Sequence, residues 1–305
     1  MTKPCESCYT FETYQKELKE LKKSFPRLKT EEIGKSFWGR PIECLKIGSG
    51  RSRIFYSGAH HGMEHLTSAL LMRFAGEYLS AAEKGEKIGS YNAKSLAKKS
   101  TLYIVPMVNP DGVDLSVFGT KSCGITNRDY LEKINPDGDF SNWQANARGV
   151  DLNHNYDALW QLSKDSEKEN GITGPGPTRF SGDAPFSEPE TKAIRDFTIK
   201  EGFGMVIAFH SQGKVIYYDF CGKEPIYSLA IAKAFEDISC YKTDYTEGMA
   251  SYGGYKDWFI DKFLRAGFTV EIGSGKNPLY LYQLDEIYKE TLPILTAALN
   301  INLPE

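Results

Sequence analysis

The sequence predicts an α/β fold: a single-domain, three-layer sandwich in which a mixed, twisted sheet has helices on both faces. Three observations support this. Apolar, strand-like runs alternate along the chain with amphipathic helical patterns, which is typical of layered α/β proteins. The 305 residues are 41% hydrophobic and 25% charged, an ordinary globular composition. No internal repeat or Pro/Ser-rich linker divides the sequence into two hydrophobic halves.

The chain opens with a helical pattern in "TFETYQKELKELKKSF", where apolar residues recur at spacings of three and four. We therefore divide the chain into an N-terminal helical segment, residues 1–34, packed on a main domain, residues 35–305. Strands are predicted at 41–48, 52–59, 101–108, 204–210, 214–220 and 267–273, and further helices at 66–78, 187–202 and 225–238.

Local signals refine these elements. The turn "GSGR" predicts that the first two strands form a hairpin, and the strand at 214–220 is expected to lie beside the strand at 204–210. Ser187 and Glu190 have the spacing of a capping box at the start of a helix. Residues 107–186, rich in Asn, Asp, Gly and Pro, are expected to form long ordered loops, which in compact domains usually carry function.

Charge and cysteine content narrow the range of partners. With 37 basic and 40 acidic side chains the net charge is -3, which favours neither a nucleic-acid partner nor a membrane surface. The N-terminus lacks an apolar core of signal-peptide length, and the six cysteines are scattered, so we expect a cytoplasmic protein. Cys5 and Cys8 form a CxxC pair, for which a frayed terminus is a better interpretation than a metal or redox site.

A metal site is indicated by the stretch "SGAHHGMEH", which holds three of the five histidines. A catalytic zinc ion takes three protein ligands, commonly a close pair and a distant third. His61 and Glu64 supply the pair, and His210, at the end of another predicted strand, supplies the third. His60 and His65 compete for the same role, and a histidine at a strand end is more often structural than a ligand.

A zinc hydrolase also needs a carboxylate that is not a ligand, which takes a proton from water and passes it to the leaving group. Glu271, within the apolar run "GFTVEIG", suits this role, because a buried glutamate without a task or a cationic partner is costly. Arg148, in a loop rich in polar groups, is a candidate donor for a developing oxyanion.

Six motifs occur in order: "HGME", "NPDGV", "GVDLNHNY", "FHSQ", "GGYKDWF" and "TVEIG". Over roughly residues 35–295 the chain resembles the zinc carboxypeptidase superfamily of the M14 type. The longer strings "WQANARGVDLNHNYDALW", "FSEPETKAI", "GGYKDWFI" and "EIGSGKNPL" resemble, more narrowly, the bacterial γ-D-glutamyl-diamino-acid peptidases of that superfamily, which trim peptidoglycan peptides. The main domain would then be a peptidase domain.

The resemblance assigns roles position by position. His61, Glu64 and His210 match the ligands of one zinc ion, and Glu271 matches the general base and acid. Arg148 is the candidate for the arginine that polarises the scissile carbonyl. The same motifs place Asn153, His154, Ser211 and Lys256 at substrate-binding positions.

The chain departs from the family pattern at two positions. His154 replaces the arginine that follows Asn153, so capture of a free C-terminal carboxylate should be weaker or differently arranged. Met249 occupies the position of the family's substrate-capping tyrosine, and Tyr245 and Tyr252 are alternative candidates to replace it. Lys256 falls at the base of the specificity pocket, where it would favour an anionic group such as the second carboxylate of meso-diaminopimelate; a solvated surface lysine is the competing interpretation.

The resemblance therefore implies a zinc peptidase that hydrolyses the γ-D-glutamyl bond to meso-diaminopimelate, or a related diamino acid, in peptides or muropeptides. One alternative is a metallocarboxypeptidase acting on ordinary α-linked peptides. Another is a peptide receptor that keeps the zinc without catalysis, and a third is a metal that only braces the fold.

Overall fold

The computed structural model describes residues 7–246 and 252–303, in which ten α-helices and ten strands occur. The helices are α1 (Phe11–Ser24), α2 (Leu66–Lys84), α3 (Ala93–Lys99), α4 (Pro110–Phe118), α5 (Ile125–Ile134), α6 (Trp160–Glu169), α7 (Pro189–Glu201), α8 (Ser228–Ile238), α9 (Tyr255–Phe263) and α10 (Leu284–Ala298). The strands are β1 (Lys29–Lys35), β2 (Pro41–Gly48), β3 (Ser52–Gly58), β4 (Lys87–Ile88), β5 (Tyr91–Asn92), β6 (Ser100–Val105), β7 (Met205–His210), β8 (Val215–Tyr217), β9 (Lys242–Asp244) and β10 (Ala266–Glu271).

Eight strands form one mixed sheet in the order β1-β2-β6-β3-β7-β10-β8-β9, and β4 pairs with β5 in a separate ribbon. The four central strands β6, β3, β7 and β10 are parallel to one another, while β2 and β8 flank them in antiparallel pairing. Because the carboxyl ends of parallel strands meet at one edge of a sheet, residues that follow β3, β7 and β10 are brought together there.

The sheet is covered on both faces, as the sequence predicted. Along β3, Ile54 and Tyr56 belong to an apolar core with α1, α2, α8 and α10, whereas Phe55, between them, belongs to a second core with α7 and α9. This alternation is the two-residue period of a strand buried on both sides. The α/β three-layer prediction is confirmed.

The hairpin predicted between β2 and β3 is wrong, because β6 lies between these two strands. At the "GSGR" turn, Gly50 passes so close to the backbone of Lys99 that a Cβ atom there would overlap it, and the chain crosses over the start of β6. The hairpin is formed instead by β1 and β2, where the N–H of Ser36 donates to the carbonyl of Arg40 at 2.8 Å.

Three further details differ from the predictions. β8 neighbours β10 rather than β7. No capping box forms at α7: its N-cap is Glu188, and Glu190 is buried and accepts from the N–H of Phe37 at 2.9 Å. Residues 107–186 are only partly loop, because α4, α5 and α6 lie within them.

The division at residue 34 stays a prediction. α1 packs against α2, and β1, which crosses that boundary, is hydrogen-bonded into the main sheet. Within the residues that the structure describes, no helix combines the length and the apolar character needed to cross a bilayer.

Candidate metal centre

The loop after β3 carries the first two candidate ligands. The chain leaves β3 at Gly58, reaches His61, and then makes a short 3-10 turn, Gly62–Glu64, that leads into α2. Gly62 packs against the backbone of Gly112, and a Cβ atom at this position would collide with it. Its N–H donates to the carbonyl of Gln144 at 2.9 Å, which joins the histidine loop to a second loop.

His61, Glu64 and His210, here called the metal-site cluster, converge. Nδ1 of His61 lies 2.8 Å from Oε1 of Glu64, and Nδ1 of His210 lies 2.9 Å from Oε2. One ligand atom from each residue lies within 4.8 Å of the others, and this is the one group of three or more His, Cys, Asp or Glu side chains with such geometry among the described residues. Glu64 and His210 are buried, at 3% and 1% exposure.

The arrangement fits zinc in three respects. Two imidazole nitrogens and a carboxylate are a zinc donor set that leaves room for water or substrate. Oε2 of Glu64 is buried and, although it lies close to Nδ1 of His210, makes no hydrogen bond within the described residues, so the cluster is not satisfied by the protein alone. Burial raises the pKa of Glu64, but His61 and His210 outweigh it and hold that pKa at about 2, in the ionised form that a ligand needs.

Asp151 supports His61 from behind. Its Oδ1 accepts from Nε2 of His61 at 3.1 Å, and its Oδ2 accepts from the N–H of Arg179 at 3.0 Å. Burial raises the pKa of Asp151, but His61 and then His154 more than reverse this and keep the carboxylate ionised. A carboxylate on the outer nitrogen of a ligating histidine fixes the tautomer and orientation of the ring.

The two competing histidines lie outside the metal-site cluster. His60 is fully buried, stacks on the ring of Tyr255, and has Nε2 3.3 Å from the hydroxyl of Tyr156; burial lowers its pKa well below the ordinary value. His65 is buried beside α1, with Nδ1 3.4 Å from the N–H of Tyr9, and burial lowers its pKa to about 4. Both are packed as neutral structural groups.

Glu271 lies at the end of β10, directly opposite His210 in the parallel pairing with β7. It lines a cavity of about 220 Å³ that also reaches His61 and His210. Burial, followed by the charge of Glu64, raises the pKa of Glu271 well above its ordinary value. The positive charge of a metal bound nearby would act in the opposite direction.

Three of the four predicted substrate-binding residues line this cavity: Asn153, His154 and Lys256. The carboxamide oxygen of Asn153 accepts from the N–H of Tyr255 at 3.1 Å, which orients the carboxamide. Nδ1 of His154 lies 3.1 Å from the carbonyl of Tyr252. Gly253, with a φ of +75°, passes so close to His154 that a Cβ atom would lie 2.5 Å from its carbonyl oxygen.

Lys256 is not a solvated surface residue. It is 3% exposed, its ammonium lies 2.5 Å from Oδ1 of Asp257, and it also donates to the carbonyl of Asp219. Burial raises the pKa of Asp257, and the charge of Lys256 opposes that shift. The cavity wall therefore presents a buried ion pair at the position where a single cation was expected.

Two predicted residues are not brought to the cavity. The guanidinium of Arg148 lies 3.5 Å from Oε1 of Glu188 and 5.5 Å from the centre of the Phe37 ring, and Arg148 does not line the cavity. The hydroxyl of Ser211 donates to the side chain of Asn277 at 2.9 Å. The signals behind both were local, a polar loop and a neighbour of His210, and neither specifies the direction of a side chain.

Tyr245 and Tyr252 were the alternative candidates for the capping role. Met249, at the family's capping position, lies outside the described residues. Cys5, of the CxxC pair, also lies outside them. Tyr245 is exposed and its hydroxyl accepts from that of Tyr218 at 3.0 Å, and neither Tyr245 nor Tyr252 lines the cavity in the described part of the chain.

The cavity residues that sequence reasoning missed include Gln144, Asp151 and Arg179. The first two stand in the quoted string "WQANARGVDLNHNYDALW", so the motif itself was a signal that was not used residue by residue. Arg179 is the one cation in the Gly/Pro-rich stretch "GITGPGPTRFSGDAPF", which gives little basis for prediction.

The fold and the metal-site cluster together indicate the class of protein to which this chain belongs. The model of the zinc carboxypeptidase family, M14, matches residues 14–294, so the chain belongs to this family of metallopeptidases. It is 38% identical over 291 residues to γ-D-glutamyl-L-diamino acid endopeptidase 1 of Lysinibacillus sphaericus, covering 95% of this chain and 72% of that protein.

Two solved structures show the same fold. Bovine thrombin-activatable fibrinolysis inhibitor, in complex with a tick carboxypeptidase inhibitor, matches with a TM-score of 0.74 at 20% identity, covering 97% of both chains. The murein-tripeptide amidase MpaA of Escherichia coli O157 matches with a TM-score of 0.54 at 21% identity, covering 90% of this chain and 93% of that one.

Proposed function

We propose that this protein is a zinc-dependent peptidase that hydrolyses the γ-D-glutamyl bond to meso-diaminopimelate, or to a related diamino acid, in peptides derived from peptidoglycan. The observation that carries the proposal is the meeting of a His-Glu-His cluster with Glu271 in one cavity. The γ linkage and the diamino acid are supported by the 38% identity to a protein named for cleaving such bonds.

His61, Glu64 and His210 would hold one zinc ion, with Asp151 orienting His61. Zinc at this position supplies a Lewis acid that polarises the scissile carbonyl and makes a water molecule more acidic. The side chains do the remaining work of positioning and proton transfer.

Glu271 is assigned as the general base and acid. It is not among the three converging ligands, yet it shares their cavity, as a carboxylate that exchanges protons with water and substrate must. It takes a proton from the water that attacks the γ-carbonyl and returns it to the departing amine of the diamino acid.

The leaving diamino acid is assigned to the side of the cavity formed by Asn153, His154 and Lys256. Asn153 offers its amide N–H groups, because its oxygen is already engaged by Tyr255. The Lys256–Asp257 ion pair suits a distal group that carries both an ammonium and a carboxylate, as meso-diaminopimelate does. In these assignments His154 donates a hydrogen bond to the substrate carboxylate, and this bond is weaker than one from an arginine.

We infer a cytoplasmic location, because the proposed substrate is a peptide recycled from the cell wall. Four of the described cysteines, Cys44, Cys123, Cys221 and Cys240, form no disulfide, which is compatible with a reducing compartment.

The test is product analysis by mass spectrometry. The zinc-loaded protein is incubated with L-Ala-γ-D-Glu-meso-diaminopimelate and, separately, with an α-linked tripeptide. Release of free diaminopimelate from the first alone is the expected result. Cleavage of only the α-linked peptide would replace the proposal with an ordinary metallocarboxypeptidase, and cleavage of neither would favour a receptor.

Glu271→Gln tests the mechanism. Removing a general base lowers kcat by roughly 10²–10⁴-fold. Zinc content, measured by elemental analysis, should stay at the wild-type level. A variant that keeps its turnover would reject the role of Glu271, even if the substrate assignment holds.

A further inference from the structure

Arg179 is a cation at the candidate site that the motifs did not indicate. It follows a Gly/Pro-rich stretch, has a φ of +65°, and lines the same cavity as His61, His210 and Glu271. The backbone N–H of Arg179 donates to Oδ2 of Asp151, and the other carboxylate oxygen of Asp151 accepts from His61. A single carboxylate therefore fixes the backbone of Arg179 relative to the metal-site cluster.

The cavity has two cationic side chains among its described lining residues, Arg179 and Lys256. They differ in environment. Lys256 is buried in an ion pair with Asp257, whereas Arg179 is exposed to solvent. A guanidinium carries five N–H donors in a planar fork, so it can keep a contact with the protein and still bind a carboxylate with two parallel hydrogen bonds.

The proposed substrate has a free carboxylate near the scissile bond, which an α-linked peptide lacks unless the residue before that bond is itself acidic. When glutamate is linked through its γ-carbonyl, its α-carboxylate stays free, a few carbon atoms from the scissile bond. In an α-linked peptide the carbonyl at the scissile bond is the α-carbonyl itself. A residue that binds the free α-carboxylate would therefore favour a γ-linked glutamyl bond over an α-linked bond that follows a non-acidic residue.

We propose that Arg179 binds the α-carboxylate of the glutamyl residue and thereby favours γ-linked glutamyl bonds over α-linked bonds that follow non-acidic residues. This inference rests on the proposed function and assigns to the acyl side of the scissile bond a residue distinct from Asn153, His154 and Lys256. Arg179 acts on substrate specificity and takes no part in proton transfer.

The experiment compares two substrates that differ only at this carboxylate. One is L-Ala-γ-D-Glu-meso-diaminopimelate, and the other carries a carboxamide in place of the α-carboxylate of the D-glutamyl residue. The wild type should cleave the free acid with a kcat/KM about tenfold or more higher, because a charge-assisted hydrogen bond to one substrate is lost with the other. Arg179→Gln should lower kcat/KM for the free acid to the level of the amide, so that the ratio approaches one.

The matched control is Arg195→Gln. Arg195 is an arginine on α7 that is engaged with Asp196 and the ring of Phe186 and does not line the cavity. This variant should keep the wild-type ratio. An Arg179→Gln variant that also keeps the ratio, or that loses activity equally on both substrates, would overturn the assignment.

Binding gives a readout that is independent of turnover. In the Glu271→Gln background, titration calorimetry with the free acid should show about tenfold weaker affinity after Arg179→Gln, and with the amide no change. A wild type that cleaves neither substrate, nor binds them, would reject the proposed function itself. A preserved preference in the Arg179 variant would reject only the role of Arg179.

Discussion

Two regions of the molecule bury acidic side chains among polar neighbours. One is the metal-site cluster with Asp151 behind it. The other, here called the acid cluster, comprises Asp111, Glu188 and Glu190, all of which have no exposed surface. It lies under the β1–β2 turn, where α4 and α7 begin, and does not line the cavity.

The two clusters differ in how their oxygen atoms are satisfied. In the acid cluster, Asp111 accepts from the hydroxyl of Ser36 at 2.9 Å and the N–H of Trp38 at 2.8 Å. Nδ2 of Asn146 donates to Glu188 at 2.8 Å and to Glu190 at 3.2 Å. The remaining oxygens of the two glutamates also accept, from the hydroxyl of Ser187 and the N–H of Phe37.

In the metal-site cluster the neighbours of the carboxylate are imidazole nitrogens, and Oε2 of Glu64, although close to His210, makes no hydrogen bond within the described residues. A buried carboxyl group that is surrounded by N–H and O–H donors holds the fold together, because its oxygen atoms find their hydrogen-bond partners within the protein. A buried carboxylate facing other ligand atoms needs an additional positive charge. Burial alone therefore does not identify a functional acid, whereas the chemistry of its neighbours does.

Replacing one acid of each cluster by glutamine should give the largest difference in zinc binding. Glu64→Gln removes a charged ligand, so zinc affinity should fall by at least about 100-fold, beyond the usual effect of losing a supporting group, and activity should be abolished. Glu188→Gln removes an equally buried acid and should leave the zinc content unchanged. Elemental analysis after dialysis checks both, and zinc loss from the Glu188 variant would contradict the distinction.

The acid cluster should instead affect stability. Burial, followed by the charge of Asp111, raises the pKa of Glu190 to about 8, so the folded protein holds a proton that the unfolded chain releases near pH 4.5. The proton on Glu190 stabilises the folded protein fully below pH 4.5, and this stabilisation is lost as the pH rises towards 8. The wild type should lose stability over this range relative to Glu190→Gln, on the order of a few kcal/mol.

Urea unfolding of wild type and Glu190→Gln at pH 5 and pH 8 measures this difference. Titrating groups distant from Glu190 are shared by the two proteins and cancel in the comparison, whereas the titration of Asp111, which is coupled to Glu190, belongs to the measured difference. Glu83→Gln, at an exposed position on α2, is the matched control and should follow the wild type at both pH values. A Glu190 variant that differs from the wild type by the same amount at pH 5 and pH 8 would argue against a raised pKa.

The same contrast explains what the sequence could predict. His61, Glu64 and His210 are brought together because they lie at the carboxyl ends of β3 and β7, adjacent parallel strands whose apolar runs are plain in the sequence. The acid cluster gave no such signal, since its members come from α4 and α7 and are joined by backbone N–H groups of a turn. Ser187 and Glu190 matched a capping box by spacing alone, but tertiary hydrogen bonds position Glu190 elsewhere.

The strands show the same difference between local features and features that depend on distant contacts. Periodicity gave the central strands, but pairing is decided by contacts between distant segments, so the insertion of β6 between β2 and β3 was not foreseen. β1, "KTEEIGK", is a polar edge strand without an apolar run and was not predicted. Arg148 and Arg179 stand in similar polar loops, and the sequence does not distinguish the arginine that lines the cavity from the one that pairs with Glu188.

Asp151→Asn should have a smaller effect than loss of a ligand. The carboxamide keeps the size of the side chain but weakens the charged contact to Nε2 of His61, so zinc affinity should fall by roughly 10–100-fold. Competition with a zinc chelator measures it. Asp111→Asn, in the acid cluster, should leave zinc affinity unchanged while lowering the free energy of unfolding, and the reverse pattern would show that the two acids were assigned to the wrong clusters.

The smallest effect is expected at Ser211, which stands next to a candidate ligand yet is bonded like a member of the acid cluster. Its hydroxyl donates to Asn277, whose amide returns a hydrogen bond to the Ser211 carbonyl at 2.6 Å. Ser211→Ala should cost about 1 kcal/mol of stability, the net value of one hydrogen bond. KM should stay within about twofold of the wild type, because less than 0.5 kcal/mol of binding is at stake. A tenfold rise in KM at unchanged stability would show that this hydroxyl turns to the substrate, and that adjacency to His210 was the better guide to function than its hydrogen-bond partner.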